Sequence, residues 1–216
     1  MLLTGFEGYG GRGINPAAEI VNSLDGAEIS GLTVKGAILP VSYSELEPRI
    51  EKLIDTHNPK AIICLGLWPG EPTIRLERFG VNRNDFEIPD NVGALEAGEI
   101  EARGPTARPA TLPLIDIQER LLSNGIPAHI SSSAGNFLCN ALLYKTLGLL
   151  ERKGRRIPCG FIHVPYLPSQ VAEIIEGTRE EKRLELHQRG DLCSMSTETG
   201  VAAIRLTIET TLESLA

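Results

Sequence analysis

The chain is sparing in cysteine and in positive charge, and it has no long apolar run. Its four cysteines, Cys64, Cys139, Cys159 and Cys193, are far apart and form no C-x-x-C pair, which argues against a structural zinc site. The formal net charge of −7 leaves no basic excess for a nucleic-acid backbone. No apolar stretch approaches the ~20 residues that span a bilayer, so no membrane partner is expected. The opening MLLTGFEGYG lacks a basic segment followed by a long apolar one, so no secretory signal is expected. Free thiols in a reducing cytoplasm fit these absences. The glycine-rich stretch from Gly5 to Gly13 contains neither G-x-x-x-x-G-K-[ST] nor a G-x-G-x-x-G leading cleanly into a helix, so a phosphate cradle is not expected there. Internal repeats and low-complexity tracts are also missing.

What remains is the make-up of an ordinary globular chain, 42% hydrophobic and 23% charged. Its 216 residues suit one domain, residues 1–216, able to bury a core without disulfides or metal. The concentrated charge run, Arg179 to Arg183, mixes both signs and reads as a solvated segment.

Periodicity predicts an α/β order. Met1 to Thr4 is a short apolar strand running into the glycine-rich loop, and Asn15-Pro16 is a cap-plus-proline start for a helix through Leu24. Leu32 to Val41 reads as a strand. Leu46, Ile50, Leu53 and Ile54 give the stretch from Ser44 to Asp55 a helical spacing. Lys60 to Leu67 is a continuous apolar run, as in a strand buried on both faces. Arg75 to Val81 reads as a further strand. From Asn82 to Pro113 four prolines and several glycines and carboxylates interrupt any period. About thirty such residues predict a protruding hairpin or loop over a site. Helices are then expected at Ile115–Leu122, Phe137–Leu150 and Thr197–Leu215, and strands at Ile126–Ile130 and Cys159–Val164. Together these predict a mostly parallel, twisted sheet between helices.

Three residues carry possible chemistry. Cys139 follows a strand and a turn of small residues, at the start of a helix, where the dipole and free N–H groups favour a thiolate and an oxyanion. The alternative is a small core hydrophobe. His163 lies near the C-terminal end of an apolar strand, the edge where open α/β sheets bind ligands. Its alternative is a hydrogen-bonded structural histidine. His57, His129 and His187 are weaker candidates. Glu77, beside a buried strand, is able to orient an imidazole. Its alternative is a surface ion pair with Arg75 or Arg78.

The segments LLTGFEGYGG…NP, ILPVSY, TIRLERFGVN, EIPDN, GPTARPATLP, GIPAHISSSAGNFLCNALLY and GFIHVPYLP resemble, in order and over nearly the whole chain, the pyrrolidone-carboxylate (pyroglutamyl) peptidase family. The first is similar to that family's TGFEPFGG…NPS. The resemblance implies a cysteine peptidase that removes N-terminal pyroglutamate from peptides. Cys139 matches the nucleophile, His163 the general base and acid, and Glu77 the orienting carboxylate. It also implies an α/β/α sandwich, no metal, no cofactor, and a homo-oligomer, tetramer or dimer. It places Phe6, Tyr9, Phe137 and Leu138 around the lactam ring, with Ile88 nearby and Leu67 at the strand end. Tyr9 stands where the family usually has Phe, and Leu67 where some members carry Gln. Glu87 stands where many carry an Arg that helps with developing negative charge, and Arg83, four residues away, is a candidate to offset it. Two alternatives stay open: a related cysteine hydrolase with altered N-acyl specificity, and a low-turnover binding protein of the same fold.

Overall fold

A computed structural model describes residues 1–215. The apolar runs become the strands of a six-stranded sheet. These strands are β1 (Leu2–Phe6), β2 (Lys35–Leu39), β3 (Ile62–Leu67), β4 (Ile74–Glu77), β5 (Ala128–Ser131) and β6 (Cys159–Val164). Their spatial order is β5-β4-β6-β3-β1-β2. Every pairing is parallel except β4 with β6, which run antiparallel in the middle of the sheet. Every residue of β3 and β6 is buried: the unbroken apolar run of β3 requires it, and in β6 it takes His163 into the core as well.

Helices α1 (Pro16–Leu24), α3 (Leu114–Ser123) and α6 (Thr197–Glu213) cover one face, and α2 (Tyr43–His57) and α4 (Leu138–Arg152) cover the other. The side-chain alternation of the strands divides the core accordingly: Leu3, Ile63, Leu65 and Ile162 go to the first layer, and Leu2, Ile62, Cys64 and Phe161 to the second. Asn15 caps α1 by accepting the Ala17 N–H at 3.0 Å, a bond whose loss typically costs about 1 kcal/mol. Helix α2 ends at Asn58 in the left-handed conformation, a common C-terminal stop. Ile50 and Ile54 of α2 are fully buried, and truncating either to Ala is expected to cost about 2–5 kcal/mol.

The structure corrects three sequence expectations. The strand expected over Leu32–Val41 is two pieces: Leu32–Thr33 pairs with Glu28–Ile29 in a small hairpin, and only Lys35–Leu39 joins the sheet. Val34 exchanges hydrogen bonds with Gly26 and Ala27 and separates them. The strand expected over Arg75–Val81 also breaks, at Arg78. Ile74–Glu77 belongs to the central sheet, while Phe79–Val81 pairs antiparallel with Ala107–Pro109. A further helix, α5 (Pro168–Glu181), was not expected. It buries Gln170, Val171 and Thr178, with Ile174 and Ile175 half-buried on the same stripe, and the charge run at its end is exposed.

The segment 82–113 forms a short hairpin, Asn84–Asp85 against Ala97–Gly98, but with Asn84 and Phe86 buried it packs on the body of the protein instead of protruding. It is tied down over the sheet's edge. Glu7 accepts from the Val41 N–H and from Asn91 Nδ2, both at 3.0 Å. Asp90 accepts from the Tyr43 N–H at 2.8 Å. At its far end Arg108 is buried on the face of Tyr144, 4.1 Å from the ring centroid, and bonded to Glu101 and Glu151.

Candidate active site

Register brings the site together. In the antiparallel β4–β6 pair, Phe161 stands opposite Glu77 and His163 opposite Arg75. On its other side, β6 places Phe161 opposite Cys64 of β3 and His163 opposite Gly66. Directly opposed residues share a face, so Arg75, Glu77, Phe161, His163 and Gly66 all look toward α4. Glu77 and His163 are 0% and 1% exposed. His163 Nδ1 is 2.7 Å from Glu77 Oε1, a buried pair. Glu77 Oε2 has no hydrogen-bond partner among the described residues.

Cys139 comes to this pair at the first turn of α4. The turn before it is organised by its own serines. Ser131 Oγ accepts from the Ser133 N–H at 3.2 Å and Ser133 Oγ from the Gly135 N–H at 3.2 Å. Helix α4 starts with no side-chain cap, so its first N–H groups remain unsatisfied beside Cys139. Asn140 clamps the start of the helix: its side chain accepts from the Val81 N–H at 2.8 Å and donates to the Val81 and Arg83 carbonyls at 2.9 and 3.0 Å. Gly66 provides the room for sulfur. A Cβ there would lie 2.8 Å from Cys139 Sγ and 2.8 Å from Phe161 Cζ. Gly80 similarly lets α4 approach, since a Cβ there would meet the Tyr144 N at 2.7 Å.

The electrostatics favour a neutral resting pair. Burial pushes the Cys139 thiol well up, and the Glu77 carboxylate and Cys64 push it further, against the pull of its own backbone N–H. Burial lowers His163, against the hydrogen bond and charge of Glu77, with Arg75 adding to the lowering. A proton therefore rests on sulfur and leaves only when a reacting group draws it. Cys64 and Cys159, buried in the core, are also pushed up, Cys64 to about 12.

The alternative expectation for Glu77, a surface ion pair with Arg75, is half met. Arg75 Nε does donate to Glu77 Oε1 at 2.8 Å, but the carboxylate is buried and shared with His163. Arg75 and Trp68 were not singled out as site residues in the sequence. Arg75 stacks on Trp68, 4.0 Å from the ring centroid, and Trp68 meets His163 edge-on at 4.9 Å. The signal for Arg75 was the R-x-E spacing on a strand, which puts both side chains on one face.

Two hollows adjoin Cys139. A cleft of about 270 Å³ has Cys139 and His163 in its wall, together with Trp68, Glu87, Ile88 and Asn136. Beside it a small slot is lined by Phe6, Tyr9, Leu67, Phe137, Leu138 and Cys139. All five residues expected at the lactam ring and strand end thus line the slot, and Ile88, half-exposed, lies in the adjoining cleft. The slot's free volume is about 20 Å³, room for one water. The rings of Tyr9 and Phe137, 6.0 Å apart, close it. Burial raises the Tyr9 hydroxyl to about 12, so it stays protonated. Glu87 is exposed in the cleft, and Arg83, the residue expected to offset it, is paired at 2.8 Å with Asp85. No group of three or more His, Cys, Asp or Glu suited to a metal occurs among the described residues. No helix among them is long and apolar enough to cross a membrane.

A thiol at a helix start, an imidazole and a buried carboxylate on one face of an α/β sandwich are the ingredients of a cysteine-type hydrolase. Comparison with known proteins makes the class specific. The family described as pyroglutamyl peptidase matches residues 1–214. The pyrrolidone-carboxylate peptidase of Pyrococcus furiosus is 39% identical over 216 residues, 100% of this chain and 99% of its own. That of Bacillus licheniformis is 37% identical over 190 residues, 83% of this chain and 88% of its own. The structure of pyrrolidone carboxyl peptidase from Thermococcus litoralis superposes with a TM-score of 0.90 at 37% identity, covering 99% of this chain and 93% of its own. The chain belongs to the pyroglutamyl peptidase family.

Proposed function

We propose that this chain hydrolyses the amide bond after an N-terminal pyroglutamyl residue, with Cys139 as nucleophile, His163 as general base and acid, and Glu77 as the carboxylate that orients the imidazole. The observation that carries this is the buried His163–Glu77 pair, 2.7 Å long, whose imidazole lines the same cleft as Cys139, with an apolar slot beside it.

The geometry supports the following reaction. Pyroglutamate is a neutral lactam without a free α-amine, so an apolar slot suits it. The slot must widen for the ring, and Tyr9 and Phe137 are the side chains to move. His163 takes the proton from Cys139 as sulfur attacks the carbonyl carbon, and the new imidazolium is stabilised by Glu77. The oxyanion meets the uncapped N–H groups of α4. His163 then protonates the departing amine, leaving a thioester, and next activates the water that hydrolyses it. No metal or cofactor has a role in this sequence of steps. We further propose a cytoplasmic homo-oligomer, dimer or tetramer, of one domain per chain. Exposed Leu184 and Leu186 offer apolar surface for assembly, and light scattering in solution tests it.

The test is release of a fluorophore from a pyroglutamyl amide by the wild type and by Cys139→Ala. Turnover that falls at least about a thousandfold in the variant is expected. Undiminished turnover in Cys139→Ala would remove Cys139 from the mechanism. A folded wild type that fails to turn over would favour the second reading, a cysteine hydrolase of altered N-acyl specificity. The exposed carboxylate of Glu87 in the cleft is the observation behind it. A binding protein with little turnover would bind a pyroglutamyl amide without forming a thioester on Cys139, as read by mass spectrometry of the quenched mixture.

A further inference from the structure

We infer that Arg75 is a positioning residue of this site, holding the carboxylate behind His163 and the turn that carries Cys139 in one rigid frame. The inference rests on the catalytic reading above and goes beyond it, since that reading needs only Cys139, His163 and Glu77.

The guanidinium reaches four parts of the site at once. Its Nε donates to Glu77 Oε1 at 2.8 Å, the same oxygen that meets His163 Nδ1 at 2.7 Å. One terminal nitrogen donates to the Ser133 carbonyl at 3.0 Å, inside the turn between β5 and the nucleophile's helix. The other lies 3.5 Å from Glu71 Oε2, and Glu71 is itself buried. The guanidinium plane covers Trp68, whose edge packs on His163. A planar fork of five donors can make these contacts together, whereas an ammonium on a flexible stem cannot. Glu71 is held in turn by Thr73, whose hydroxyl donates to it at 2.8 Å and also meets His129 Nδ1 at 2.8 Å.

Two consequences follow. Mechanically, Arg75 joins β4 to the turn before Cys139, so the relative placement of imidazole and sulfur depends on it. Electrically, it balances the charge of buried Glu77, whose second oxygen has no partner among the described residues. The charged or titratable groups around His163 are Glu77 and Arg75 on β4, Glu71 before it, His129 on β5, Cys64 on β3 and Cys139 on α4. Arg75 is the permanent cation in this set. Its removal lets both His163 and Cys139 hold their protons to higher pH, because a positive charge that opposed protonation is gone.

The experiment measures kcat/KM against pH for wild type, Arg75→Gln and Arg75→Lys on a pyroglutamyl amide. In parallel it measures the pH dependence of Cys139 alkylation by iodoacetamide, with thermal unfolding as the check on folding. Arg75→Gln is expected to lose about ten- to a hundredfold in kcat/KM, the usual penalty for removing a group that orients a catalytic one. Its acid limb should move up by roughly half a unit to one unit, in turnover and in alkylation alike. Arg75→Lys should keep the limb near its wild-type position, because the charge remains, and still lose rate, because the fork is gone. A folded Arg75→Gln with the wild-type rate and limb would overturn the inference. So would a loss of rate with no movement of the limb, which is what a merely structural residue gives. If Arg75→Gln does not fold, Arg75→Lys decides, and wild-type turnover in it would overturn the inference. If no chain turns over the amide, the pyroglutamyl reading fails by itself, and the alkylation limb still tests Arg75.

Discussion

Gly66→Ala probes the geometry of the site with a single carbon. The added Cβ would stand 2.8 Å from Cys139 Sγ, 2.8 Å from Phe161 Cζ and 3.0 Å from Phe161 Cε1. Ordinary carbon contacts begin near 3.5 Å, so something must give by more than half an ångström. Phe161 is fully buried between β3 and α4 and has nowhere to go. Cys139 is only partly buried, and rotation of its short side chain toward the cleft is the easier relief. That rotation changes where sulfur stands relative to His163, which lines the same cleft, and a misplacement of about 1 Å in a reacting atom costs on the order of a hundredfold in rate. Overpacking of a filled core adds roughly 1–3 kcal/mol of destabilisation, or a fall of about 2–12 °C in Tm for a chain of this size. The assay is kcat/KM on a pyroglutamyl amide with the alkylation rate of Cys139, both well below the variant's Tm. Activity is expected to fall much further than stability. A variant with wild-type kcat/KM and alkylation rate would refute the argument, because it would mean that the sulfur does not occupy the space above Gly66.

Three further outcomes are expected. Glu77→Gln keeps the shape of the buried pair and removes its charge, so the imidazolium is no longer stabilised; kcat should fall by about a hundred- to ten-thousandfold in steady-state assays, and a loss under threefold would exclude an orienting carboxylate. His163 is held below its ordinary value of 6.5 by burial, so its contribution to stability is complete above that pH and is lost as pH falls through the lowered folded-state value. Urea unfolding from pH 7 to pH 5 should therefore show a steeper loss for the wild type than for His163→Gln, and parallel curves would contradict the depressed value. Tyr9→Phe removes a hydroxyl that burial keeps protonated and leaves the ring that closes the slot. KM for a pyroglutamyl amide should stay within about threefold, whereas a rise of tenfold or more would show that the hydroxyl bonds the lactam.

How much of this was legible beforehand depended on how local each signal is. The cap-and-proline start at Asn15-Pro16 and the apolar run of β3 announce themselves within a few residues, and both stand where they were expected. So does β6, whose bounds Cys159–Val164 match the sequence expectation. Helix α5 was missed although Pro168 at its start and the Val171, Ile174, Ile175 spacing signal it, because the charge run that ends it reads as a solvated segment. The break at Arg78 was missed because nothing nearby marks it: the ladder changes partner there, since the Arg78 N–H bonds Ser131 and its carbonyl accepts from Ala110.

The sequence by itself determined the membership of the family, the α/β order and the identities of Cys139, His163 and Glu77 as candidates, because ordered blocks and periodic runs are properties of neighbours along the chain. Only the tertiary structure decided that they meet. Glu77 and His163 are 86 positions apart, and their contact depends on β4 entering the sheet antiparallel to β6 in the one register that faces Phe161 with Glu77. The same pairing turned Arg75 from a surface ion-pair partner into a buttress between Glu77, Trp68 and the turn before Cys139. Strand pairing is settled by burial and hydrogen bonding between distant segments, and no residue carries that choice in its own neighbourhood.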